Sequence, residues 1–241
     1  MPPTRKPTRA RQGTQSWRHL LFVHWPVPLA VLRPLVPEAL SIDTYEGVAY
    51  VGLVPFEMHD VKPYRWAPMV PTARNFLETN VRTYVHMGGD NPGVWFLSLE
   101  AASSLAVWAA RAFWHLPYFR AKMVAAYDGN VVDYQSTRQW PEPKDASLSL
   151  RYEIGTALPA SEPETLRFFL AERYLLYSTN PRGELFRGQV HHAPYPLHEA
   201  RIDSLHETLV ARAGIASQGD PISALYSPGV DVDIFALERV G

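Results

Sequence analysis

The sequence predicts an α+β fold, built chiefly on an antiparallel sheet and contained in one domain. Segments of strand character outnumber helical ones, and most neighbours are joined by short turns, the connection that antiparallel strands use. Proline is also spread along the whole chain, 22 in 241 residues, so it punctuates many short elements and marks no single linker.

The elements follow in order. Ser16 to Trp25 is apolar and aromatic and runs into a Pro26–Val27–Pro28 turn. Leu29 to Leu35 suits a short helix stopped before Pro37. After the Tyr45–Glu46–Gly47 turn, Val48 to Phe56 reads as a buried strand. Phe76 to His86 is a second strand, and Val94 to Leu99, apolar on both faces, is a central third. Glu100 to Trp114 is alanine-rich with apolar residues at helical spacing and ends before Pro117. Phe119 to Tyr127 and Val131 to Arg138 alternate about Asp128–Gly129–Asn130, which is a hairpin signal. Leu148, Leu150, Tyr152 and Ile154 share one face of a further strand. Ser161 with Glu164 forms a capping box opening the helix that carries Leu166 to Ala171, and Ser204 with Glu207 opens another that ends near Gly214. Val230 to Arg239 is the last strand.

Composition removes several function classes. With no cysteine, disulfides, thiolate nucleophiles, zinc–thiolate sites and iron–sulfur clusters are excluded. A net charge of -1 gives no basic excess for nucleic acid. Lysine occurs only at Lys6, Lys62, Lys122 and Lys144; the arginine bias fits a GC-rich bacterial genome. Residues 1–15 read as a basic disordered tail and 16–241 as the domain. The tail has no apolar signal region, and apolar runs such as Leu105 to Ala110 are too short to span a bilayer. The expectation is a cytoplasmic protein with no nucleic-acid or membrane partner; homo-oligomerisation is left open.

Several segments resemble the YqjF-like family in family order: Trp17 to Pro28 (WRHLLFVHWPVP), Tyr45 to Phe56 (YEGVAYVGLVPF), Phe76 to Val85 (FLETNVRTYV) with Gly93 to Ala101 (GVWFLSLEA), Ala110 to Met123 (ARAFWHLPYFRAKM), Glu172–Arg173–Tyr174, and His192 to Leu197 (HAPYPL). That family is similar in fold to acetoacetate decarboxylase. The resemblance implies an antiparallel β-sheet closed into a barrel, with helices packed outside and a cavity within. In the decarboxylases the reactive lysine follows the proline of a Gly–aromatic–Pro–Lys–Lys motif. Leu116–Pro117–Tyr118 is the nearest match here, with tyrosine in the lysine's place. This departure argues against decarboxylation through an iminium. Glu78 resembles a glutamate that those enzymes place in their cavity.

The strand from Glu78 to His86 carries the candidate chemistry. Period-two alternation puts Glu78, Asn80, Arg82, Tyr84 and His86 on one face and Leu77, Thr79, Val81, Thr83 and Val85 on the other. The β-branched face suits packing against outer helices, so the polar stripe is expected inside the barrel, with Glu78 and Arg82 buried and close to each other. Arg82 can grip a ligand carboxylate through two parallel hydrogen bonds. A solvated stripe or a structural Glu78–Arg82 ion pair is the plainer alternative. Tyr84, Tyr118 and Arg111 complete the candidate cavity lining. Lys122, among Ala121, Met123, Val124 and Ala125, is the candidate for a desolvated nucleophilic amine, although alternation with Arg120 also suits an outward face. His191, His192 and His198 cluster without a familiar metal-ligand spacing, and neither a phosphate loop nor a serine-nucleophile elbow occurs. No metal or cofactor is expected. The reading is a protein that binds a small organic acid or carbonyl compound, whether or not it turns it over. A lysine-dependent lyase through Lys122 and a non-catalytic ligand-binding or interaction module are the alternatives.

Overall fold

The computed structural model of the protein describes residues 6–64, 74–216 and 219–240. Its strands are β1 (Gly13–Val27), β2 (Ser41–Ile42), β3 (Ala49–Lys62), β4 (Phe76–Met87), β5 (Asp90–Ala101), β6 (Tyr118–Asp128), β7 (Val131–Trp140), β8 (Ser147–Ala157), β9 (Leu175–Thr179), β10 (Leu185–His191), β11 (His198–Glu207), β12 (Ser223–Ile234) and β13 (Glu238–Arg239). The α-helices among the described residues are α1 (Leu29–Leu32), α2 (Ser104–Phe113), α3 (Leu166–Ala171) and α4 (Leu209–Arg212).

The expected antiparallel sheet closed into a barrel with helices outside is not what forms. The strands join in one mixed sheet whose order runs from β13 through β10, β9, β5, β6, β7, β8, β11, β12, β1, β3 and β4 to β2, with further ladders between β4 and β5 and between β10 and β12. Two ladders are parallel, β5 with β6 and β5 with β9. The physical reason lies in the connections. A parallel neighbour needs a crossover, and α2 carries the chain from the end of β5 back to the start of β6. The β9–β10 hairpin then attaches along β5 and branches the sheet.

Branching produces layers. One face of β1, β3 and β4, with Leu21, Val23, Val51, Leu53 and Val81, packs on Val132, Tyr134, Leu148, Leu150 and Tyr152 of β7 and β8 in the largest core cluster. Thr79 lies on this side too and donates through Oγ1 to the Tyr134 hydroxyl at 3.1 Å. The expectation that Val81 and its neighbours meet outer helices is therefore corrected: they meet strands. The opposite face, carrying Glu78, Asn80 and Arg82, turns toward a second layer made of β9, β10, α2 and the segment around Tyr195. Nor does α2 stand clear of the site, because Leu105, Ala106, Ala109 and Ala110 face the same space.

The turn signal is met as expected, while the helix caps and the first strand boundary differ. The β6–β7 hairpin turns where expected, with Gly129 at φ 58° supplying the left-handed position. At α3 the cap is Thr165, whose side chain accepts from the Phe168 N–H, and not Ser161. Ser204 lies within β11; α4 is preceded by Thr208, and Glu207 accepts the Val210 N–H at 2.8 Å. Strand β1 begins at Gly13, before the expected boundary at residue 16, and Lys6 and Arg11 both pair with Asp233 of β12. No helix among the described residues is long and apolar enough to cross a membrane.

Candidate functional site

Between the two layers lies a pocket of about 410 Å³. Its floor is four strands wide. Pairing sets Glu78 opposite Phe56 and Ala101, Asn80 opposite Val54 and Leu99, and Arg82 opposite Gly52 and Phe96. Leu20 of β1 extends the floor. The roof comes from Leu175, Leu176, Val190 and Tyr195, and α2 with Trp114 and Leu116 covers the Glu78 end. The walls are mostly apolar, as in typical small-molecule sites, so the few polar groups dominate recognition.

Glu78 is 2% exposed and accepts a 2.9 Å hydrogen bond at Oε2 from the Tyr118 hydroxyl. Burial disfavours the carboxylate and pushes its pKa up to about 8, against a smaller opposing effect of that hydrogen bond. Tyr118 is itself raised well above its usual value by burial and by Glu78, so it stays a phenol. At neutral pH Glu78 is thus predominantly a neutral acid.

Arg82, 8% exposed, has no carboxylate partner among the described residues. Its Nη2 donates to the Leu170 carbonyl at 3.1 Å, while its Nε is buried without a partner. The guanidinium lies 5.5 Å from the Phe22 ring centroid and 5.7 Å from that of Tyr84. Its positive field reaches its neighbours: His24 is lowered first by burial and then by Arg82, and His192 is lowered to about 4 by burial, with His191 and Arg82 adding to the shift. Two further polar atoms of pocket residues, Asn80 Oδ1 and Trp17 Nε1, are buried without a hydrogen-bond partner.

The expected closeness of Glu78 and Arg82 is corrected. Four residues on a strand separate their Cα atoms by about 13 Å. Glu78 leans to Tyr118 while Arg82 leans to Tyr84 and Leu170, and no ion pair joins them. Of the other candidates, Tyr118 lines the pocket. Tyr84 is fully buried and serves the frame, donating to Leu170 O and bonding His24 Nε2, both at 2.7 Å. Gly52 is what lets that bond pass, since a Cβ there would sit 3.1 Å from the His24 ring. Arg111 is exposed and donates to the Tyr118 carbonyl from outside.

Lys122 is exposed on β6, beside buried Ala121. Lys62 and Lys144 are also exposed, Lys6 pairs with Asp233, and none of the four lysines lines the pocket. The histidines do not converge. His192 stacks on Tyr174 at 4.6 Å, His198 bonds the Gly155 carbonyl, and no group among the described residues is placed to hold a metal ion. Asn80, Trp17 and Tyr195 were not singled out from sequence. Asn80 shares the stripe and was legible by alternation, whereas Trp17 and Tyr195 arrive from distant parts of the chain.

Two buried charge clusters lie outside the pocket lining. Arg138 pairs with Glu100 through two hydrogen bonds of 2.6 and 3.2 Å, and Glu172 accepts from the Tyr174 hydroxyl and the Tyr195 N–H. The first ties β5 to β7. The second holds the roof segment that carries Tyr195.

Residues 14–231 match the family model DUF2071, described as an uncharacterized conserved protein. The chain is 40% identical over 226 residues to the "Uncharacterized protein YqjF" of Bacillus subtilis (strain 168), covering 93% of this chain and 91% of that one. Among solved structures, it is similar to the enduracididine biosynthesis enzyme MppR complexed with pyruvate (TM-score 0.66, 9% identity, 97% of this chain and 92% of the other). It is also similar to acetoacetate decarboxylase from Legionella pneumophila (TM-score 0.62, 12% identity, 98% and 92%). At such identities the likeness is one of fold.

Proposed function

From the premise that the chain belongs to the DUF2071 family and shares the acetoacetate decarboxylase-like fold, we propose that its pocket binds a small organic acid or carbonyl compound. The observation that carries this reading is Arg82: a buried guanidinium, on the floor of an apolar pocket, without a carboxylate of its own among the described residues. A buried charge without a counter-ion costs several kcal/mol, and a ligand carboxylate would supply one. Glu78 complements it. As a neutral acid held by Tyr118, it can donate a hydrogen bond to a carbonyl or hydroxyl oxygen, which a carboxylate, having no proton, cannot do. The pyruvate complex of MppR supports an acid ligand in this fold.

Lysine chemistry is disfavoured, because imine formation needs an amine in the pocket and no lysine lines it. Calorimetric titration of the protein with acids and their neutral amides tests the reading. Acids should bind, the amides should bind at least tenfold more weakly, and Arg82→Met should abolish the difference while keeping a parent-like circular dichroism spectrum. Equal binding of acids and amides by the parent would refute it.

A further inference from the structure

Three of the pocket's polar groups form a ruler. Glu78, Asn80 and Arg82 stand on one face of β4, at steps of about 6.8 Å. The outer two lean apart, Glu78 toward Tyr118 on β6 and Arg82 toward the Leu170 carbonyl. A three- or four-carbon oxo acid is less than about 6 Å long at ~1.5 Å per bond, so it reaches one end only. Apart from Asn80, the space between is apolar, walled by Val54, Phe96 and Leu99. The volume agrees: about 410 Å³ equals roughly 14 waters at ~30 Å³ each, far more than pyruvate would fill.

Resting on the reading above that the pocket binds an acid, we propose that its ligand is an oxo or hydroxy acid of intermediate length. An apolar spacer separates a carboxylate at Arg82 from a carbonyl or hydroxyl oxygen at Glu78. The Cα atoms of Glu78 and Arg82 stand ~13 Å apart; subtracting a hydrogen bond of ~2.8 Å at each end leaves about 7–8 Å, or roughly six bonds at ~1.2 Å of advance per bond in an extended chain, between the two groups. Asn80 then faces the spacer midway.

The test is a calorimetric series on the full chain with pyruvate, levulinate, 7-oxooctanoate, octanoate and 2-octanone. Each added methylene should tighten binding about fourfold while the pocket has room, so 7-oxooctanoate should bind at least tenfold more tightly than levulinate. It should also exceed octanoate, and Glu78→Leu should remove that second advantage while octanoate still binds. Glu78→Gln keeps a donor and an acceptor and should retain the advantage, which separates a lost contact from a damaged fold. Short acids binding as tightly as 7-oxooctanoate, or no ketone advantage in the parent, would overturn the length assignment alone. If no acid of any length binds, the acid-site reading itself fails.

Discussion

Replacing Glu78 with glutamine should change how stability depends on pH. The ordinary carboxyl value of 4.5 is raised to about 8 by burial, so between those values the folded chain holds a proton that the unfolded chain releases. Stability from this site is fully present below pH 4.5, falls as pH rises, and is lost above about 8. The slope for one group is about 1.4 kcal/mol per pH unit, so the parent should lose roughly 3 kcal/mol between pH 5.5 and 7.5 relative to Glu78→Gln. Glutamine still accepts from Tyr118 and has the shape of the neutral acid, so the comparison isolates ionisation. Urea unfolding of both proteins at pH 5, 6, 7, 8 and 9 gives the difference at each point. It should decline between pH 5 and 8 and then level off. A difference that stays constant across that range would show that Glu78 titrates alike in the folded and unfolded chain, and the neutral-acid argument would fall.

Arg138→Met strands the buried Glu100 carboxylate, and urea unfolding should show a loss of about 3–5 kcal/mol, with less than additive loss when Glu100→Gln is combined with it. Gly52→Ala presses a Cβ against the His24 ring at 3.1 Å and should destabilise by about 1–2 kcal/mol, read as a lowered Tm. Borohydride reduction with pyruvate or acetoacetate should leave the intact mass unchanged; an adduct mapped to Lys122 would restore the imine route.

The alternation of β4 was legible in the sequence because the two faces of a strand follow from period two alone. Glu78, Asn80 and Arg82 therefore had to share a face wherever that face pointed. The β6–β7 hairpin was legible for a similar local reason: Asp128–Gly129–Asn130 offers the turn its left-handed residue. The absence of thiol chemistry followed from composition. The tertiary structure decided the rest. Strand β11 takes its place from β8, remote in the chain, and the short β9–β10 hairpin is set in the sheet by β5 and β12, which are equally remote. Alternation says nothing about which layer lies over which face, and the branch at β5 sent the polar stripe toward β9, β10 and α2. Tyr84 and Arg111 were sorted out of the pocket by contacts with His24, Leu170 and the Tyr118 carbonyl, and Lys122 by an outward register on β6. The protonation state of Glu78 is the clearest case. A glutamate's composition and spacing predict a carboxylate; only enclosure by two layers, which removes water from around it, makes it an acid at neutral pH.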